Sequence, residues 1–224
     1  MAVVLGKMAV IKEKLKKEIT VSNEEEVADK LFLASGSPRR LALLNQLGLS
    51  AKVVDAPIEE VALPHESPRS FVMRMAIEKA FAGYNKLAGH DIWVVAGDTL
   101  VELEGVVLGK PRNQHQASEF LTKLSGKTHR VLSAVAVIHQ GETFASLNET
   151  AVTFASLTDQ QLAGYLASNE WEDKAGAYAV QGLGAQFISH INGSYSGVMG
   201  LPLFETSELL VRAGYLIYNF SSIK

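Results

Sequence analysis

One stretch limits the possible folds more than any other: Leu31-Phe32-Leu33-Ala34-Ser35-Gly36-Ser37-Pro38-Arg39-Arg40. A short apolar run stops at Ser-Gly-Ser-Pro, and two arginines follow. Leu41, Leu43, Leu44 and Leu47 then recur at helical spacing until Gly48. The pattern predicts a strand, a tight turn and a helix. Ser37 suits the N-cap and Pro38 the first helical position, where its missing N–H costs nothing. Gly48 suits the C-terminal end. A helix N-terminus carries free N–H groups and partial positive charge, which makes it a candidate anion site. Two serine hydroxyls and two guanidinium groups lie beside it, and arginine forks match phosphate geometry. A capped surface helix with two solvated arginines is the alternative for the same residues.

With 224 residues the chain can form one large domain or two closely packed lobes. It has no cysteine, so disulfides and thiolate metal sites are excluded, which fits a reducing, cytoplasmic compartment. The formal charge of −3, without basic residues interleaved with aromatics, gives no nucleic-acid footprint and no attraction to an anionic membrane. No apolar run approaches the roughly 20 residues of a membrane span. Residues 1–10 are interrupted by Lys7 and lack a cleavage site, so they are not read as a signal peptide. The histidines are scattered, without H-E-x-x-H, and no G-x-S-x-G elbow is present.

Residues 1–30 read as an extension outside the core. Lys12, Lys14, Lys16 and Lys17 crowd together ahead of Glu24-Glu25-Glu26, and Val10, Ile11, Leu15 and Ile19 form a weak helical stripe. A basic interaction helix is the alternative. Further on, residues 51–54 read as a strand running into a loop with Glu59 and Glu60, either solvated or metal-ligating. Ser67-Pro68 opens a helix expected to end near Gly83. Val72, Met75, Ala76 and Lys79 share one face, so Lys79 must snorkel out or meet an anion.

Residues 91–99 form the clearest buried-strand pattern and end in Gly97-Asp98-Thr99. Ligands of open α/β sheets bind beyond the carboxyl ends of strands. Asp98 is thus a candidate metal ligand or general base, with a turn-capping aspartate as the alternative. A hairpin around Glu104-Gly105 delivers Lys110 in a Gly/Pro-fixed loop, suited to a phosphate or simply to solvent. A helix over 114–124 follows, then β-type segments over 129–139 and 143–154. Thr158 and Gln161 form a capping box. The small-residue stretch 173–184 precedes a strand over 186–191, and a final helix after Pro202 ends at Gly214.

The positive candidates are Arg39, Arg40, Lys79, Lys110 and Lys174, and the acids are Glu59 and Asp98. Cations with two carboxylates suit a polyphosphate held with Mg²⁺, which takes oxygen ligands from one or two carboxylates plus phosphate. This chemistry points to phosphoanhydride or phosphate-ester hydrolysis and does not select the bond or the base.

Seven ordered segments resemble the Maf family of nucleoside triphosphate pyrophosphatases. They are residues 33–40, Glu78-Lys79-Ala80, Gly97-Asp98-Thr99, Leu108-Gly109-Lys110-Pro111, Lys123-Leu124-Ser125-Gly126, residues 173–182 and residues 193–202. The resemblance implies an α/β fold of two lobes, related to the inosine triphosphatases, with a long mixed sheet flanked by helices and a central cleft. It places this domain over residues 31–224.

The resemblance also implies cleavage of a nucleoside triphosphate to the monophosphate and pyrophosphate with a divalent metal, Mg²⁺ or Mn²⁺, and it is compatible with a homodimer. By position it makes Asp98 the proton acceptor and a metal ligand, and Glu59 the second metal carboxylate. Lys79 and Lys110 hold the phosphates, and Ser35, Ser37 and Arg40 line the triphosphate site. Arg39, Thr99 and Gln181 match the subgroup that acts on dTTP and UTP, and a glutamine amide suits a uracil or thymine edge. Two departures stand out: residues 1–30 have no family counterpart, and Gly197 replaces a common asparagine. Two other functions remain open at this point. One is a pyrophosphatase for modified purine triphosphates such as 7-methyl-GTP or ITP. The other is a nucleotide-binding regulator of cell division.

Overall fold

β1 (Leu31–Leu33) is a short buried strand that leaves the sheet after Leu33 and turns into α1 (Pro38–Gln46). The structure is a computed structural model describing residues 30–87 and 91–217. The expected extension over 1–30, with its helical stripe, lies outside those residues except for Lys30. As expected, Ser37 takes the extended N-cap backbone and Pro38 the first helical position. The hydroxyl of Ser37 makes no capping bond, however; instead its N–H donates to Ser35 Oγ at 3.2 Å. At the other end Gly48 (φ 73°) closes a Schellman motif, with Gly48 N–H bonded to Asn45 O and Leu49 N–H to Leu44 O.

β2 (Lys52–Val53) pairs in parallel with β1 at the sheet edge, and β1 pairs in parallel with β3 (Trp93–Leu103). The remaining pairings are antiparallel: β3 with β4 (Val106–Leu108) and with β5 (Thr128–His139), β5 with β6 (Glu142–Phe154), and β6 with β7 (Ile188–Asn192). The result is a mixed seven-stranded sheet in the order β2-β1-β3-β5-β6-β7, with β4 beside the far end of β3.

Helices flank the sheet as the resemblance implies. α2 (Pro68–Leu87) covers one face of its first half, burying Val72, Ala76 and Ala80 against Val94, Ala96 and Ala134. α1 and α6 (Leu203–Arg212) cover the other face, where Leu43, Leu44, Leu209 and Leu210 meet Val95 and Val135. Successive β3 residues serve opposite faces, as strand periodicity requires. At the far end of the long strands, α3 (Gln114–Leu124) and α4 (Asp159–Ala167) enclose a separate cluster around Phe154, Tyr165 and Phe187. These two ends are the two lobes. Among the described residues no helix is long and apolar enough to cross a membrane.

Three expectations need correcting. α2 does not stop at Gly83. A Cβ there would stand 2.7 Å from Ala34 Cβ, so the glycine lets the helix pass close to the β1 turn and does not end it. Residues 97–99 do not end a strand, because β3 continues unbroken to Leu103, held by β5 along its length. Finally, residues 186–187 belong to a 3₁₀ turn (Leu183–Phe187), and an additional short helix, α5 (Tyr195–Met199), precedes α6.

Candidate active site

β3 is paired unequally along one edge. Val95 faces Leu33 of β1, Val101 faces Leu108 of β4, and among the described residues no strand pairs with β3 on that side in between. Gly97-Asp98-Thr99 lies in this gap. A cleft of about 670 Å³ opens there, lined by the β1–α1 turn, the middle of β3, the loop after β4 and residues 173–181.

Asp98 sits mid-strand opposite Ala134 and is only 7% exposed. Lys79 projects from the buried side of α2, and its ammonium contacts two carboxylates, Asp98 Oδ1 and Glu60 Oε1, each at 2.7 Å. The two acids respond differently to this shared lysine. Burial raises the Asp98 carboxyl above its ordinary range and outweighs the opposing effects of Lys79 and Arg40. Glu60 is more open to solvent. Its burial also acts upward, but the hydrogen bond and charge of Lys79, with Lys110 and Arg40, hold it below the ordinary range.

The α1 wall is polar and cationic. Arg40 Nε donates to Gly200 O at 2.8 Å and Nη1 to Ser35 Oγ at 3.1 Å, so the guanidinium is clamped between the β1 turn and the α5–α6 junction. Burial lowers its pKa, against the attraction of Asp98, but a guanidinium remains charged at neutral pH. Arg39 is likewise lowered by burial and raised by the charge of Asp173. Thr99 Oγ1 lies 3.0 Å from Ser133 Oγ, while Ser133 donates its single hydrogen to Gly197 O at 2.6 Å. Ser133 therefore accepts in the first pair; the single Thr99 hydrogen has both Ser133 Oγ and, at 3.4 Å, Gly200 O within reach, and the Thr99 oxygen can accept in turn.

Ser35, Ser37, Arg39, Arg40, Lys79, Asp98, Thr99, Lys110 and Gln181 all line this one cleft. Glu59 does not; its neighbour Glu60 lines the cleft and holds Lys79. Adjacent acids on an irregular loop point in different directions, and no periodicity in the sequence indicates which faces inward. Sequence reasoning also missed Asp173 and Ser133. Ser133 is a small polar residue opposite Thr99 in the β3–β5 register, a pairing that shows only once the hairpin register is known. Lys174 lines the cleft while donating to Glu172 O at 2.7 Å.

Two carboxylates flanking one lysine fit a divalent cation whose remaining ligands come from substrate phosphate and water, since Mg²⁺ is commonly bound this way. Among the described residues no cluster of three or more acidic or histidine side chains forms a cage of its own. The arrangement as a whole places acids opposite the N-terminus of α1.

Residues 30–213 match the family described as Maf-like protein. The chain is 45% identical over 186 residues to a dTTP/UTP pyrophosphatase of Hydrogenovibrio crunogenus, covering 83% of this chain and 97% of the relative. It is 52% identical over 180 residues to the dTTP/UTP pyrophosphatase of Escherichia coli (strain K12), covering 80% of this chain and 91% of that protein. The dTTP/UTP pyrophosphatase of Shigella dysenteriae matches with the same identity and coverage.

Proposed function

The chain belongs to the Maf-like family, and from that premise we propose that it hydrolyses nucleoside triphosphates, dTTP and UTP in preference, to the monophosphate and pyrophosphate. The observation that carries this reading is the Lys79 ammonium held at 2.7 Å by both Asp98 and Glu60 in the cleft that α1 faces. Arg40, Ser35, Ser37 and Lys110 are positioned to hold the triphosphate, with the uncapped N–H groups of α1 beside them. Asp98 and Glu60 would hold a divalent cation, Mg²⁺ or Mn²⁺, which when bound offsets the charge of the phosphates. Glu60 takes this place from Glu59 because only Glu60 lines the cleft.

In the reaction a water oxygen bonds to the α-phosphorus and the α–β bridging bond breaks. Its electron pair leaves with pyrophosphate, and the water proton passes to Asp98. Burial favours the protonated form of Asp98, while the charge of Lys79 and that of a bound cation would favour the carboxylate. Lys79 also holds the orientation of Asp98 through its 2.7 Å contact. Arg39, Thr99 and Gln181 meet the nucleobase, with the Thr99 oxygen and the Gln181 amide facing the uracil or thymine edge.

A panel of dTTP, UTP, dCTP, 7-methyl-GTP and ITP with Mg²⁺ or Mn²⁺ tests this reading through pyrophosphate release. Turnover is expected to be highest with dTTP and UTP. A preference for 7-methyl-GTP or ITP would overturn the pyrimidine assignment, and no turnover of any triphosphate would overturn the activity itself.

A further inference from the structure

Glu170 lies in the turn after α4 and does not line the cleft, yet its carboxylate is fully engaged, chiefly by the segment that directly follows the cleft wall at residues 173–181. Oε2 accepts the N–H of Leu183 at 2.8 Å; Oε1 accepts the N–H of Gly184 at 2.9 Å and the hydroxyl of Tyr165 at 3.2 Å. Leu183 and Gly184 open the 3₁₀ turn whose N-cap is Gly182. The first N–H groups of a helical turn need acceptors, and a glycine N-cap has no side chain to supply one. Here the cap comes from a residue in a different segment.

A substituent at Gly182 would displace the Glu170 carboxylate. A Cβ there would stand 2.2 Å from Glu170 Oε2. Gln181, the preceding residue, is exposed and lines the cleft, and among the described residues no side chain bonds to its amide. With no side-chain partner, the direction in which Gln181 leaves the chain is set by the backbone, through the turn in which Gly182 N–H donates to Ala179 O at 3.2 Å and through the capped turn that follows. Hydrogen bonds to an ionised acceptor are about twice as strong as neutral ones, so a carboxylate cap fixes this backbone more firmly than a hydroxyl would.

We propose that Glu170 is a positioning residue for nucleobase selection: by capping the turn at Leu183–Gly184 it fixes the backbone that aims Gln181 at the base. It touches no substrate itself. The proposal rests on the base-selecting role given to Gln181 above. Glu170→Gln is a sharp test because the replacement is isosteric but sets an amide NH₂ against one of the two N–H groups.

The experiment measures kcat and KM for dTTP and dCTP in the wild type, Gln181→Ala, Glu170→Gln and the double variant, with a thermal melt of each. Gln181→Ala should cut the dTTP-over-dCTP preference in kcat/KM by about tenfold, the value of one lost hydrogen bond. Glu170→Gln should cut it to a similar extent, through KM for dTTP and with kcat retained. The double variant should be no worse than Gln181→Ala alone, because both changes remove the same contact. Gly182→Ala, which leaves Glu170 in place but drives its carboxylate away, should reproduce the loss and covers the case in which Glu170→Gln does not fold. If both Glu170→Gln and Gly182→Ala keep the wild-type preference while Gln181→Ala loses it, the proposal falls and the role of Gln181 stands. Losses that multiply in the double variant also overturn the proposal. If Gln181→Ala leaves the preference intact, the base-selecting role falls and takes the proposal with it.

Discussion

On one side of the cleft, Asp98 stands in the middle of an 11-residue strand and Lys79 on a 20-residue helix. On the other side, residues 173–187 contain only two short 3₁₀ turns, Ala175–Ala177 and Leu183–Phe187. The first wall cannot move without moving the core, because Asp98 is flanked by β3–β5 ladder bonds and Lys79 follows the buried row Val72, Met75 and Ala76. The second wall has no strand ladder; Ala177, Tyr178 and Val180 pack into the far core cluster, and to that packing are added a few specific ties. These are the Glu170 carboxylate, the 2.8 Å bond between His129 Nε2 and the Tyr178 hydroxyl, and the 3.1 Å bond from Gly176 N–H to Gly109 O. Reactive groups on regular elements are placed more accurately than groups on loops. On the proposed roles the chemistry falls on the stiff wall, while base selection draws on both walls and on α1 through Thr99, Gln181 and Arg39.

The largest expected effect tests the stiff wall directly. Asp98→Asn should lower kcat by about a thousandfold, within the range of general-base catalysis, while the melting temperature holds. Pyrophosphate release and calorimetry measure the two effects; if turnover survives, the chemistry is not on this wall.

The next test loosens the second wall with acid. His129 is buried, and its pKa falls from 6.5 to about 4 because burial penalises the charged ring. Protonation therefore favours the unfolded chain. The penalty is absent above pH 6.5, grows as pH falls through that value and is complete below about 4. It reaches about 3 kcal/mol. Melting temperature followed across that window should fall in the wild type and fall less in His129→Leu. Equal slopes would remove His129 from the account.

Gly83→Ala then strains the stiff wall from behind. The added methyl meets Ala34 Cβ at 2.7 Å and Val94 Cγ1 at 3.1 Å, neither on a flexible side chain. A cost of about 1–3 kcal/mol is expected for overpacking of this kind, seen as a lower denaturation midpoint. An unchanged midpoint would mean that α2 shifts easily and that the wall is not stiff.

The smallest effect concerns proton affinity. The charge of Glu60 raises the Asp98 pKa, and Asp98 must be ionised to accept a proton. Glu60→Gln also removes one of the two proposed metal carboxylates, so it is compared with the wild type at metal concentrations raised until activity no longer increases. It should therefore move the acid limb of the kcat/KM profile to lower pH. A limb that moves upward would separate Glu60 from Asp98.

Most of the architecture was legible because its signals are local. The Asn113-capped α3 occupies residues 114–124 as predicted, the Thr158–Gln161 capping box forms, and Gly48 and Gly214 close their helices. Other features depended on partners distant in sequence. Gly83 looked like a stop until Ala34 came within reach, and Gly97-Asp98-Thr99 looked like a strand end because the supporting β5 register is not local. In the cleft, residue types and approximate positions could be read from the chain. The selection of Glu60 over Glu59, and the diversion of Ser37 N–H to the Ser35 hydroxyl, are decided by loop geometry.

The gap along β3 between Val95 and Val101 also bears on solubility. A strand with one open edge is a template on which another chain can add, and proteins guard such edges with charge. Here the guards are Arg40, Lys79 and Asp98, so the groups that attract a polyphosphate also make the edge hostile to a stray strand. Neutralising several of them at once would remove both the charge that meets the polyphosphate and the charge that guards the edge.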